Sequence, residues 1–207
     1  MIEPIIIDDL IPTRFQLDLA NELMCKTPYY FQPGTTLTQQ GAEYSNIIKD
    51  QYTIDSPQFV HPALFNNVPS DKFNIIRPML YFLEDKINRK IAEVRRIKVN
   101  CLLRNDTMFT SNNYNIPHTD EETPRTMSMV YYVNDSDGDT FFFNEHWGQT
   151  QNGLSLYSRS SPKMGRAVIF DSIRFHAGSN PIKSDNRFVI NITFKLENEK
   201  QPLAYLG

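Results

Sequence analysis

Apolar residues along this chain keep two rhythms. From about residue 13 to residue 94 they recur mostly at three- and four-residue steps, the period of a helix face; beyond about residue 96 they alternate, as in a strand. In the first part, TRFQLDLANELMCK (13–26) predicts a short amphipathic helix after Pro12, a residue suited to a helix start. Phe73, Ile76, Leu80, Leu83, Ile87, Ile91 and Val94 predict a second, longer helix behind a Ser-Asp start signal. Pro78 lies inside that run and has no N–H to donate, so a break is expected there, with the long helix proper beginning near it. Residues 31–62, between the two helices, are punctuated by Gly, Pro and Thr; they fit either a loop with a short strand over a site or an extension of a sheet.

After the switch, eight runs rich in β-branched and aromatic residues are separated by Gly, Asp, Asn and Ser: 97–104, 114–120, 126–134, 139–144, 153–157, 166–171, 173–178 and 186–196. Eight short strands behind helices point to a mainly β fold with N-terminal helices. The expected architecture is a double-stranded β-helix, jelly-roll or cupin-like, with helices packed on its major sheet. Residues 1–207 then form one domain, about 1–94 a helical elaboration and about 95–197 the β core.

Three strands are informative in their alternation. Phe188, Ile190, Ile192, Phe194 and Leu196 share a face opposite Arg187, Val189, Asn191 and Thr193. Met127, Met129, Tyr131 and Val133 oppose Thr126, Ser128, Val130, Tyr132 and Asn134, and Ile97, Val99, Cys101 and Leu103 oppose Lys98, Asn100, Leu102 and Arg104. Such polar faces can simply be wet. With helices to cover the apolar faces, they can instead line the inside of a barrel, and an interior carrying Arg, Asn, Thr and Tyr is a ligand cavity.

Composition narrows the class. Forty per cent apolar residues, with 14 Phe and 10 Tyr, suffice for a packed core and argue against disorder. A net charge of −3 leaves no overall footprint for nucleic acid or an anionic membrane, and RRIK (95–98) reads as a solvated helix end and strand. Cys25 and Cys101 are far apart and read as free, buried thiols in a reducing compartment. With no membrane-length apolar run and no signal-like N-terminus, the expectation is a soluble, cytoplasmic protein of undetermined oligomeric state.

The candidate chemistry begins at YNIPHTDEETPRT (114–126), where His118 and Asp120 stand two residues apart. Among four histidines and 24 acidic residues such a pair arises easily by chance, so it needs partners. His61 falls before the sheet, in a loop or helix start, and His146 ends a strand beside Trp147. His176 lies on a short strand 58 residues after His118, and Arg187 follows eleven residues later on the next strand's polar face. Two histidines and one aspartate make a facial triad for Fe(II), leaving three positions of an octahedron open. A guanidinium deeper in the same cavity can clamp a carboxylate in bidentate fashion. Singly, each of these residues is more often a core histidine or a surface ion pair; order and facing together point to the metal site.

HTD at 118–120, FHAGSNP around His176 and NRFVINITF around Arg187 resemble the Fe(II)/2-oxoglutarate-dependent dioxygenases, in the prolyl 4-hydroxylase-like branch. RIKVNCLLR, MVYYVNDSDGDTFFFNE and GRAVIFDS extend the likeness over about residues 95–196, and small marine bacteriophage and metagenomic members are the nearest in kind. The resemblance implies His118, Asp120 and His176 as iron ligands, Arg187 as partner of the distal carboxylate of 2-oxoglutarate, Tyr132 as a hydrogen-bond donor to that carboxylate, and Thr193 as an assistant. It implies Fe(II) and 2-oxoglutarate as cofactors, with ascorbate as an accessory, and O2 as co-substrate. Hydroxylation of an unactivated C–H bond is the expected reaction, with release of succinate and CO2. A peptidyl proline in a protein is the first expectation for the substrate, and a free amino acid or other small molecule the second.

There are departures. DGDTFFF replaces the Gly-Gly-Glu-Leu-like turn common before the fourth strand, and arginine stands where collagen-type enzymes carry lysine, which weakens a collagen-like substrate. A carboxylate at 120 favours hydroxylation over halogenation. The competing class is a non-catalytic cupin-like metal- or ligand-binding module or structural part, since a fold does not fix a function.

Overall fold

In the computed structural model, residues 3–36, 51–122, 124–149 and 153–197 are described. Eleven strands run β1 (Ile5–Ile7), β2 (Tyr30–Gln32), β3 (Gln58–Phe65), β4 (Val68–Pro69), β5 (Ile91–Leu103), β6 (Met127–Tyr132), β7 (Thr140–His146), β8 (Leu156–Ser160), β9 (Ala167–Asp171), β10 (Arg174–Gly178) and β11 (Asn186–Leu196). Among them lie helices α1 (Thr13–Cys25), α2 (Phe73–Ile76) and α3 (Met79–Ile87).

Two sheets face each other. The larger has eight strands in the order β1-β9-β6-β11-β5-β3-β2, with β4 paired to β3; the smaller is β10-β7-β8. This is the expected double-stranded β-helix, built as an open sandwich rather than a closed barrel. The long β5 and β11 pair antiparallel from Leu103–Asn186 to Ile91–Leu196, and form the spine of the major sheet. Their apolar faces (Ile97, Val99, Cys101; Phe188, Ile190, Ile192, Phe194) join Met127, Met129 and Tyr131 of β6 under Leu19 and Leu23 of α1 and Met79, Leu83 and Ile87 of α3. The helices therefore cover the outer face of the major sheet, as the alternation requires.

All six residues of β6 are buried, so the polar face is not wet. The minor sheet covers it, and the enclosed space is divided. Val130, Tyr132, Phe142, Val168, Phe170 and Val189 form an inner apolar cluster, and a polar cavity lies alongside it.

Several expectations needed correction. The second helix does not reach residue 94. Pro78 splits it into α2 and α3, and Asn88 ends it at φ 51, ψ 41, a left-handed cap that asparagine tolerates. Ile91 and Val94 continue the apolar spacing but belong to β5, because β-branched residues sustain a strand that pairs along its length with β11. Residues 3–94 are thus less helical than expected: β1 pairs with β9, and β2, β3 and β4 extend the major sheet. The ambiguous 31–62 segment is thus sheet at its two ends, 31–32 and 58–62, and loop at 33–36 and over most of 51–57, with Thr35 at the cavity; residues 37–50 lie outside the described residues. The β3–β4 hairpin turns on Asn66 and Asn67, both with positive φ, the geometry of a tight two-residue loop. Residues 114–120 form no regular strand; Tyr114 and His118 make isolated bridges only. Pro117, without an N–H, cannot donate to a ladder there. Cys25 is exposed, and only Cys101 is buried, its thiol pushed up to about 12 by burial.

Candidate metal centre and its cavity

His118 arrives on a loop, not a strand, and is held by one rung. Its N–H donates to His176 O and the His176 N–H donates to His118 O, each at 3.0 Å. Two residues on, the Asp120 N–H donates to Ser172 O at 2.9 Å. The rung sets the two imidazoles side by side, ring centroids 4.6 Å apart, and the Asp120 Oδ2 lies 3.7 Å from His176 Nε2. Ligand-capable atoms of His118, Asp120 and His176 all lie within 4.8 Å of one another, in the only such cluster of three or more among the described residues.

Both imidazoles are set for metal. His118 Nδ1 faces Ile116 O at 3.3 Å and His176 Nδ1 faces Arg174 O at 3.2 Å. A carbonyl can only accept, so each Nδ1 carries the proton and each Nε2 keeps its lone pair. Burial, then the neighbouring His176, pulls His118 down to about 3, and burial lowers His176 as well. Burial alone would raise Asp120, but Arg96, the two histidines and the Ser128 hydroxyl together hold it below the usual carboxylate range. The donors therefore stand deprotonated, as metal binding requires. Phe170 and Phe142 pack on the His176 ring and keep water from that side.

Two partners of Asp120 were not foreseen. Arg96 Nη2 pairs with Oδ1, and the Ser128 Oγ contacts Oδ2 at 2.6 Å and Ser172 Oγ at 2.9 Å. Arg96 belongs to RRIK, which read as solvated. Its parity with Lys98, Asn100 and Leu102 carries the signal, because β5 begins at Ile91 and not at 97.

Deeper along the same strands sits Arg187, opposite Leu102 and 4 % exposed. Its guanidinium donates to Thr140 Oγ1 at 2.6 Å and stacks 5.6 Å from the Tyr132 ring. Among the described residues it has no carboxylate within ion-pair distance, and its Nε has no partner. Tyr132 reaches the same place, its hydroxyl 2.8 Å from Thr140 Oγ1 and 3.1 Å from Ser160 O. Thr140, which links Arg187 to Tyr132, is another residue the sequence reading passed over. Glycines make room: a Cβ on Gly178 would sit 3.2 Å from Arg187 Nη1, and one on Gly138 would meet Ser179 O at 2.4 Å and Arg187 Cδ at 3.0 Å. The glycine of DGDTFFF thus serves close packing behind the arginine.

His118, His176 and Arg187 line one cavity with Lys98, Asn100, Thr140, Gly178 and Asn191. Thr193 does not join them. It shares Arg187's face, but it opposes Arg96 rather than Leu102, six residues along, or about 20 Å of strand. There it lines a separate groove of about 310 Å3 with Arg95, Arg96 and Glu121. His146 is buried next to Arg174 and outside the triad. His61 sits on β3, its ring nitrogens 2.9 Å from Pro28 O and 2.8 Å from Ser70 Oγ, a structural role.

The donor set suits a divalent first-row metal with open positions, and the buried unpaired arginine suits an anion beside it. Comparison with known proteins agrees. Residues 106–195 match the model of the 2OG-Fe(II) oxygenase superfamily, whose cofactors are Fe(II) and 2-oxoglutarate. A prolyl hydroxylase from Trichoplax adhaerens, solved with a hypoxia-inducible-factor peptide, shares the fold at TM-score 0.56 and 12 % identity, over 93 % of this chain and 83 % of that one. HygX from Streptomyces hygroscopicus, solved with nickel and 2-oxoglutarate, does so at TM-score 0.59 and 9 % identity, over 93 % and 82 %. AviO1 from Streptomyces viridochromogenes does so at 0.59 and 8 %, over 97 % and 92 %. No curated protein matches the chain by sequence.

Proposed function

We propose that this chain is a 2-oxoglutarate- and Fe(II)-dependent oxygenase that hydroxylates an unactivated C–H bond. One observation carries the reading beyond fold likeness: a buried arginine with no carboxylate partner among the described residues shares a cavity with two members of a His-Asp-His cluster. A buried cation persists when a ligand supplies its counter-charge. Gly178 packs against the Arg187 guanidinium and lies two residues from His176, about 7 Å along the strand, which suits a five-carbon diacid reaching from arginine to metal.

In this reading His118, Asp120 and His176 hold the iron and Arg187 binds the far carboxylate of 2-oxoglutarate. When bound, the metal and 2-oxoglutarate supply O2 activation coupled to decarboxylation, with succinate and CO2 released. The chain's own residues orient and exclude. Arg96 and Ser128 fix the Asp120 carboxylate, backbone carbonyls fix both imidazole tautomers, Thr140 and Tyr132 hold the guanidinium, and Phe142 and Phe170 keep the inner side dry. The free space is small, about 40 Å3, so the lining side chains must give way as a ligand enters while Arg187 stays on Thr140. The fold is shared by a prolyl hydroxylase holding a peptide and by HygX, also solved with hygromycin B, so peptidyl proline and a small molecule both stand as substrate classes.

Anaerobic titration of the Fe(II)-loaded protein with 2-oxoglutarate tests the reading. Wild type should show a weak visible charge-transfer band and, in air, release succinate. His118→Ala should abolish the band. Arg187→Ala should weaken 2-oxoglutarate far more than metal. If wild type and His118→Ala behave alike and neither forms succinate, the chain is a non-catalytic cupin-like module instead.

A further inference from the structure

Two polar groups of the cavity remain unused by that chemistry. Lys98 is half-buried on β5, and among the described residues its ammonium has neither a hydrogen-bond partner nor an ion-pair partner. Burial draws it down to about 8, with Arg96 pushing the same way. Asn100, two residues further in on the same face, keeps its Oδ1 buried and unpartnered. The orientation of its amide is set by the network around it. Gln58 spends its Nε2 on Gln32 Oε1, Gly34 O and Thr35 O, so its Oε1 must face Asn100. Asn100 therefore donates Nδ2 to Gln58 at 3.1 Å and leaves its oxygen to the cavity. A buried acceptor left open beside an unpaired ammonium is costly unless something completes it.

Position says that the missing partner is not the carboxylate on Arg187. Lys98 opposes Asn191, whereas Arg187 opposes Leu102, four residues or about 13 Å of strand away. Charge points the same way. Asp120 is offset by Arg96, and a ferrous ion would be offset by the 2-oxoglutarate dianion. The cationic charge of the cavity is then still in excess, and a carboxylate beside Lys98 is favoured.

We propose that Lys98 and Asn100 are the substrate-recognition pair and that the substrate is a free amino acid or a similar small molecule, its carboxylate on Lys98 and its N–H on Asn100. This rests on the oxygenase reading and selects the small-molecule class over an internal peptidyl proline, which has neither a free carboxylate nor an N–H.

The test uses the anaerobic Fe(II)·2-oxoglutarate complex of the whole chain. The twenty protein amino acids are added singly at millimolar concentration, and each one that perturbs the charge-transfer band is compared with its carboxamide. At least one amino acid should perturb the band and raise the thermal midpoint of the complex, with its carboxamide about 10- to 100-fold weaker. Lys98→Met should lose that response while its affinity for 2-oxoglutarate stays within about threefold of wild type, and Lys98→Arg should recover part of it. The ligand-free Lys98→Met protein should melt within about 2–4 °C of wild type, which shows that the variant folds. Three results would overturn the proposal: no amino acid perturbing the wild-type band, carboxamides binding as well as acids, or Lys98→Met losing 2-oxoglutarate itself. A wild type with no band at all would instead sink the oxygenase reading beneath it.

Discussion

Arg96 shows how much one side chain can decide at this site. It is the cation that lets a buried Asp120 stay ionised, and it holds the Oδ1 while Oδ2 faces His176. Arg96→Met keeps much of the length and apolar stem but removes the charge. Metal affinity should fall about 10- to 100-fold, as when the outer partners of ligating residues are lost, while the fold is retained. Isothermal titration with Mn(II) reads this directly. Gly138 makes the opposite point, because what matters there is the absence of a side chain. In Gly138→Ala the new methyl meets the Ser179 carbonyl at 2.4 Å and the Pro181 nitrogen at 2.9 Å, both backbone atoms that cannot swing away. About 1–3 kcal/mol of stability should be lost, as for other overpacking, with weaker 2-oxoglutarate binding through the displaced Arg187. Denaturant melts and the charge-transfer titration separate the two effects.

Among the elements, strands were more legible than helix ends. The range 186–196 was readable to the residue, because β11 is buried on both faces and its alternation runs unbroken from Arg187 to Leu196. The end of α3 was not, since Ile91 and Val94 satisfy a helical period and a strand period equally, and only the left-handed Asn88 separates them. Asn88→Ala should cost about 1 kcal/mol and Asn88→Gly nearly nothing, measurable by urea unfolding. Candidate site residues followed the same logic. His118, Asp120, His176 and Arg187 are legible because histidine is rare here, four in the chain, and because the order and facing of the four residues are specific. Arg96, Ser128 and Thr140 act as partners of those groups, and pairing across 24, 8 or 47 residues leaves no local trace. The loop before β7 also has its own control. Burial would raise the Asp137 carboxyl, but the N–H groups of Ser184, Ile182 and Lys183 outweigh it and hold it low. A folded-state value below the unfolded one adds stability that is present above about pH 4 and fades as acid protonates the carboxylate. Asp137→Asn should therefore narrow the gap in unfolding free energy between pH 7 and pH 3.

Taken as a whole molecule, the chain puts its apolar binding energy outside and its polar liabilities inside. The outer core of helices and major sheet carries the fold, and the enclosed face keeps Arg187, Lys98 and Asn100 incompletely partnered. Stability and ligand state are consequently linked. With Mn(II) present, 2-oxoglutarate at about a hundred times its Kd should add about 2.7 kcal/mol, and a melting scan across ligand concentration would show it as a progressive upward shift.

The single rung that joins His118 to His176 has a consequence for how the chain ages in a cell. The twenty-three residues between β5 and β6 are tied down by this rung and by backbone bonds that include Asn105 to Pro181, Asn115 to Gly178 and Asp120 to Ser172, with an arginine near each end, Arg104 and Arg125. Metal shared between the two imidazoles and Asp120 would lock that segment to the minor sheet. Withdrawing it with a chelator leaves the two histidines joined by the rung's backbone hydrogen bonds alone, with the bonds at Asn115 and Asp120 on either side. Trypsin should therefore cut the chelated protein in this segment several-fold faster than the Mn(II)-loaded one. Turnover of the polypeptide would then follow its metal supply, so that copies without metal are the first to be cleared.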